Sequence, residues 1–197
     1  MKIFCVGLSR TGTRSLTAAL RQLGYDARHF RYTRQALRLD PKGTLGLDLA
    51  YFHEPDAFLD VPVSAFFREL DVAFPGSLFI HTVRDKESWL KSCERYGNRR
   101  EEPEIESLRI KLYGAPTFDR DCFEQAYDEH RKGIESYFRS RADTLLTLDV
   151  LGGEGWAQLC PFLGKSVLRR PFPHRETRLQ AGFRRLRKRV GSALVRR

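Results

Sequence analysis

At 197 residues, with 41% hydrophobic and 30% charged residues, the chain is the size of one domain with a proper core and has no apolar run as long as a membrane span. Its net charge of +10 is uneven: residues 175–197 hold nine basic and one acidic residue, so +8 of it lies in the tail and the body is nearly neutral. Such a balance suits a globular protein; with no secretory-type leader before the first apolar run, the expected location is the cytoplasm.

The first apolar run, Ile3 to Val6, meets the loop Gly7-Leu-Ser-Arg-Thr-Gly-Thr-Arg-Ser15, which opens into an amphipathic stretch from Leu16 to Leu23. Strand, anion loop and helix follow in that order. Gly7 and Gly12 let the backbone curl so that successive N–H groups and the helix N-terminus face an anion, while Thr11, Thr13 and Ser15 add hydroxyls and Arg10 and Arg14 add charge. The spacing of the glycines is that of a nucleotide-triphosphate P-loop, yet Thr13 stands where that motif needs lysine. A well-capped turn is the plain alternative; two arginines in one short loop favour an anion, which relieves their repulsion.

Gly24 ends the first helix and residues 26–30 form a second strand. A helical turn is expected from Thr33 to Leu39, broken by Asp40-Pro-Lys-Gly43, and an irregular loop up to Pro55. Ala57 to Asp60 reads as a third strand stopped by Pro62, and Ser64 as the cap of a helix bearing Phe66, Phe67, Leu70 and Phe74. Leu78 to Val83 is a fourth strand, running through Arg84-Asp85 into a helix with Trp89, Leu90 and Cys93. The polar stretch from Gly97 to Pro116, with a short helix near Ile105 to Leu112, reads as a lid or insertion and foremost as solvated surface. A long helix from Asp119 to Arg141, a fifth strand from Leu145 to Leu148 and a helix with Trp156, Leu159 and Phe162 complete the domain. The four scattered cysteines, Cys5, Cys93, Cys122 and Cys160, read as buried free thiols.

Strands alternating with helices give an α/β protein: a three-layer, P-loop NTPase-like fold with a central parallel sheet of about five strands flanked by helices. Its expected extent is residues 1–174, followed by a basic amphipathic helix over 175–197. Ligands of such sheets bind outside the carboxyl ends of the strands, where the Ser9–Ser15 loop, Asp60 and Arg84 fall. They converge if the first strand lies between the third and fourth.

Leu8 to Leu16 resembles the 5′-phosphosulfate loop of sulfotransferases that use 3′-phosphoadenosine 5′-phosphosulfate (PAPS). Ile80 to Ser92 resembles their 3′-phosphate element, with Arg84 and Ser92 at the matching spacing; Tyr127, His130 and Tyr137-Phe138, Gly155 to Gly164 and Pro171 to His174 resemble a small-chain branch. The likeness runs from Lys2 to about His174. It implies sulfuryl transfer from PAPS, with the 3′,5′-bisphosphate (PAP) as product, to an acceptor hydroxyl or amine. The cofactor residues it implies are Arg10, Thr11, Gly12, Thr13, Arg14 and Ser15 at one end and Arg84 and Ser92 at the other. Arg10 stands where those enzymes usually carry lysine, and keeps electrostatic stabilisation of the leaving phosphate without a dissociable proton. Aligning on Pro62 puts Asp60 in the place of their base, at the end of an apolar strand where desolvation suits proton uptake; a strand-end cap, or a partner for Arg10 or Arg14, is the alternative.

Among the histidines, His29 is a candidate lining the acceptor pocket, His81 and His130 read as structural, and no spacing suggests a metal site. The rival functions are a P-loop small-molecule kinase or NTPase, with Asp60 on a metal ion, and a non-catalytic anion-binding protein. In the tail, Leu179, Phe183, Leu186, Val190 and Leu194 fall on one helix stripe beneath a crowd of arginines. That pattern suits packing on the domain, an anionic membrane surface or an acidic acceptor such as a glycan; nucleic acid is not expected. The acceptor is a small molecule, glycan or lipid, held by loops over residues 41–56 and 97–117.

Overall fold

The computed structural model describes residues 1–95 and 102–174. In chain order it contains β1 (Ile3–Cys5), α1 (Thr13–Gln22), β2 (Ala27–His29), α2 (Phe30–Thr33), β3 (Leu37–Leu39), β4 (Leu45–Leu47), β5 (Ala57–Leu59), α3 (Phe67–Ala73), β6 (Leu78–Thr82), α4 (Lys86–Glu94), α5 (Pro103–Tyr113), α6 (Arg120–Tyr137), β7 (Leu145–Leu148) and α7 (Trp156–Phe162). The main sheet has the order β2-β5-β1-β6-β7, all parallel. Its members are the five strands expected from the sequence, and β1 lies between the strands that carry Asp60 and Arg84.

Side-chain alternation along β1 builds two cores. Ile3 and Cys5 face Leu16, Leu20, Trp156 and Leu159 of α1 and α7; Phe4 and Val6 face Phe67, Leu70, Ile134 and Phe138 on the other side. This makes three layers. Phe4 pairs in register with Phe58 on β5 and Phe79 on β6, and the ring centroids lie 5.9 and 5.7 Å apart. These three rings are fully buried, each contributing about 2 kcal/mol, and they tie the central strand to both neighbours.

Five sequence expectations change. Thr33 ends α2, Arg34 to Ala36 form a 3₁₀ turn, and Leu37–Leu39 pairs antiparallel with Leu45–Leu47 as a hairpin instead of continuing a helix into a loop. The Asp40 carboxylate stabilises its tip by accepting from the N–H groups of Lys42 and Thr44. Ser64 caps nothing: it sits in a 3₁₀ turn with its hydroxyl buried and unpartnered, and α3 starts at Phe67, held by burial of Phe67 and Leu70. The long helix ends at Tyr137, and Arg139–Thr144 forms a kinked 3₁₀ segment whose Arg141 bonds Asp71 bidentately, at 2.6 and 3.1 Å. Within the stretch expected to be solvated surface, α5 buries Ile105, Leu108 and Tyr113. Cys5, Cys93 and Cys160 are buried, whereas Cys122 is half-exposed; all four are free thiols. The basic helix expected over 175–197 lies outside the described residues.

Candidate active site

The loop after β1 is fixed before any ligand is considered. Gly7 packs so tightly that a Cβ there would lie 2.0 Å from the Thr82 hydroxyl on β6. Thr11 Oγ1 donates to Leu8 O at 2.6 Å and lies 2.7 Å from Thr82 Oγ1. Trp89 Nε1 on α4 donates to Ser9 O at 2.8 Å, and His130 Nε2, on α6, lies 2.7 Å from Val6 O. Arg10 (φ 76°) and Gly12 (φ 100°) take left-handed backbone, which turns the chain into α1 and leaves the N–H groups of Thr13 and Arg14 at the open helix end. An anion fits that end.

Arg10 points along the sheet edge, its Nε donating to the buried Ser92 Oγ at 3.1 Å. At the end of β6, Arg84 donates from NH1 to Arg10 O at 3.2 Å and from Nε and NH2 to Ser88 Oγ at 3.0 and 2.7 Å. Tyr127 on α6 donates to Arg84 O at 2.5 Å. Arg84 therefore makes no ion pair with Asp85 or Glu87: Asp85 caps α4 through Ser88 N–H, and Glu87 pairs with Arg120 and Lys91. Burial, then the charge of Arg10, pull the Arg84 guanidinium below its ordinary value. Arg84 thus reaches the Arg10 backbone at the carboxyl ends of the two central strands β1 and β6, where two guanidinium groups favour a polyanion.

On the other side of β1, Asp60 closes β5, in left-handed backbone (φ 72°) and 7% exposed. Its Oδ1 accepts from Ser9 Oγ at 2.5 Å and from Val61 N–H at 2.9 Å, and His29 Nε2 lies 3.2 Å from Oδ2. Thr13 Oγ1 is 3.0 Å from the same His29 nitrogen. Burial lowers the His29 imidazole; Asp60 opposes this, and Arg14 and Arg21 reinforce it. His29 is consequently neutral at pH 7 and orients the carboxylate rather than neutralising it. Asp60 pairs with Ser9 and His29, not with Arg10 or Arg14.

Asp60, Ser9 and Arg10 open onto a cavity of about 200 Å³, otherwise lined by Phe30, Val61, Cys93, Phe123 and five residues of α5, among them Leu108, Leu112 and Tyr113. Residues 41–56 contribute nothing to this lining, contrary to expectation. The expected site residues therefore meet around β1, with Ser92 reaching the group through Arg10. Ser9, within the loop expected at the strand ends, is placed on Asp60, whereas Trp89 and Tyr127, to which sequence reasoning assigned no site role, join through long-range bonds to backbone carbonyls that no spacing encodes. His81 and His53 lie off the site: His81 packs against His130 beneath the loop, and His53 against Phe74. Among the described residues no group of three or more His, Cys, Asp or Glu stands together as a metal set, and no helix is long and apolar enough to cross a membrane.

The fold is a three-layer α/β protein with a central parallel sheet, and the loop after β1, Arg84 and Asp60 stand at the carboxyl ends of its strands beside a mainly apolar cavity. The particular kind is given by comparison: a family model described as a sulfotransferase domain matches residues 2–181, and the chain belongs to that family. It is also 34% identical over 109 residues to a protein of Aspergillus versicolor called Ava biosynthesis cluster protein M. That match covers 48% of this chain and 42% of the relative, so the chain spans less than half of the relative's length.

Proposed function

We propose that the protein is a PAPS-dependent sulfotransferase acting on the hydroxyl of a small acceptor. The observation that supports this most strongly is the pairing of Arg10 and Arg84 beside the open N-terminus of α1, with Asp60 on the strand opposite. The donor would fit the residues present: Arg10 and the α1 end would hold its 5′-phosphosulfate, and Arg84 and Ser92 its 3′-phosphate. When bound, it supplies a sulfuryl group; the acceptor oxygen forms the new O–S bond, the S–O bond to the phosphate breaks, and the acceptor proton goes to Asp60. Arg10 remains charged throughout and stabilises the departing phosphate electrostatically. Ser9 and His29 keep the carboxylate aimed, and the apolar wall excludes water that would compete as acceptor. The relative's name places it in a biosynthetic cluster, which agrees with a small-molecule acceptor. A kinase would need the phosphate-binding lysine, and position 13 instead holds a threonine committed to His29.

Asp60→Asn tests the assignment. Asparagine tolerates left-handed backbone, so the fold is kept. Sulfuryl transfer from radiolabelled PAPS is expected to fall about 100-fold or more while PAP binding changes less than twofold. Full turnover in Asp60→Asn removes Asp60 as the base.

A further inference from the structure

We infer that the acceptor is a single-ring phenol, seated with its hydroxyl at Asp60 and its ring in the cavity under α5, and that Leu112 sets the length of molecule admitted. This rests on the sulfotransferase reading for the direction of transfer, but the cavity itself does not depend on the donor. Its volume is about 200 Å³. A dry cavity of roughly 150 Å³ with a Leu, Ile and Phe lining holds benzene, so this one takes a ring with one or two substituents.

The wall chooses the chemistry. Phe30, Val61, Ile105, Leu108, Leu112 and Phe123 offer no hydrogen bonds; the polar lining is Ser9, Arg10 and Asp60 with the Tyr113 hydroxyl beside Ser9, and Arg109 on α5, which donates to Pro116 O. A sugar ring in this space would leave several hydroxyls unpaired at about 1–3 kcal/mol each. A phenol leaves none. Burial pushes the Cys93 thiol up to about 12, so the cysteine in the wall also acts as an uncharged, apolar surface.

The base points the same way. Asp60 Oδ1 accepts from Ser9 and Val61 and Oδ2 faces His29, so the carboxylate is held in one orientation at the polar end of the cavity. A phenol gives up its proton near pH 10, whereas water holds its own to about 15.7, a value much closer to that of an aliphatic alcohol. Of the two, the phenol proton is the one a carboxylate base takes more readily.

Leu112 lines this cavity and also a second cleft of about 300 Å³ between α3, α5 and α6, where Ser64, Arg68, Lys111 and Glu129 are found. Among the named lining residues of the two spaces it is the one they share. A larger residue shortens the acceptor cavity, and a smaller one opens it toward the cationic cleft.

The experiment is calorimetric titration of the full chain with 4-methylphenol, 4-phenylphenol and N-acetylglucosamine, with PAP titrated separately, on the unaltered protein, Leu112→Trp and Leu112→Ala. Thermal melts accompany each to show that the variants fold. The unaltered protein is expected to bind 4-methylphenol and not the sugar. Leu112→Trp should lose at least about tenfold in 4-methylphenol affinity with PAP affinity kept, and Leu112→Ala should gain about tenfold for 4-phenylphenol. Binding of the sugar in place of the phenol, or phenol affinity unchanged in folded Leu112→Trp, overturns the inference. Phenol binding that depends on Leu112 without any PAP binding would uphold the cavity and refute the donor.

Discussion

Arg84 shows how a residue's role depends on what competes for it. The Arg84-Asp85 dipeptide reads equally well as a surface ion pair, and only the fold decides, because Asp85 is taken by the α4 N-terminus and Glu87 by Arg120. Arg84 is left beside Arg10, like charge against like. Arg10, Thr11, Gly12, Thr13, Arg14, Ser15, Asp60, Arg84 and Ser92 were all legible as candidates, since glycine spacing, hydroxyls and strand-end charges are local signals. Their pairings were not. The contacts of Asp60 with His29 and Ser9, and of Arg10 with Ser92, span 31, 51 and 82 positions and depend on strand order.

At the scale of elements, the β1–α1 turn is closely packed and carries left-handed backbone at Arg10 and Gly12. Gly12 holds φ 100°, and a Cβ there would stand 3.0 Å from Val150 Cβ behind it. Gly12→Ala adds about 1–2 kcal/mol of left-handed strain to that crowding, so urea unfolding should shift by at least about this amount, with PAP affinity falling in parallel. An unchanged denaturation midpoint would mean that the turn relaxes freely. The helix α5 illustrates a signal that was present but masked: Ile105, Leu108 and Leu112 recur at helical spacing, yet the surrounding Glu and Arg made the segment read as solvent-facing. The β3–β4 hairpin gave less to read, as three residues per strand are too few for period-two alternation to register.

At the scale of the whole molecule, three buried or half-buried histidines, His29 on β2, His81 on β6 and His130 on α6, are all held below the ordinary imidazole value by burial. His81 is pulled to about 3, chiefly by burial and then by His130 and Arg131; His130 and His29 are lowered as well. Because the unfolded chain binds protons on these groups near pH 6.5 and the folded one does not, the unfolded state gains protons as pH falls. Stability is full above about pH 6.5 and declines below it, by about 1.4 kcal/mol per pH unit for each histidine until its folded value is reached. Thermal melts from pH 7.5 to 5 should show that fall, reduced in His81→Asn; a flat profile would mean the imidazoles reach solvent. At this scale the sequence was most informative, because five apolar runs alternating with amphipathic helices leave few topologies, and the parallel order around β1 is one that brings the charged strand ends together.

Calorimetric titration of the metal-free protein with PAP, repeated on Arg84→Ala and set against ATP with Mg²⁺, tests the central claim most directly. The expected result is micromolar binding of PAP, weakened at least about tenfold in Arg84→Ala, with no binding of Mg-ATP. Binding of Mg-ATP but not PAP, or PAP affinity indifferent to Arg84, would contradict it.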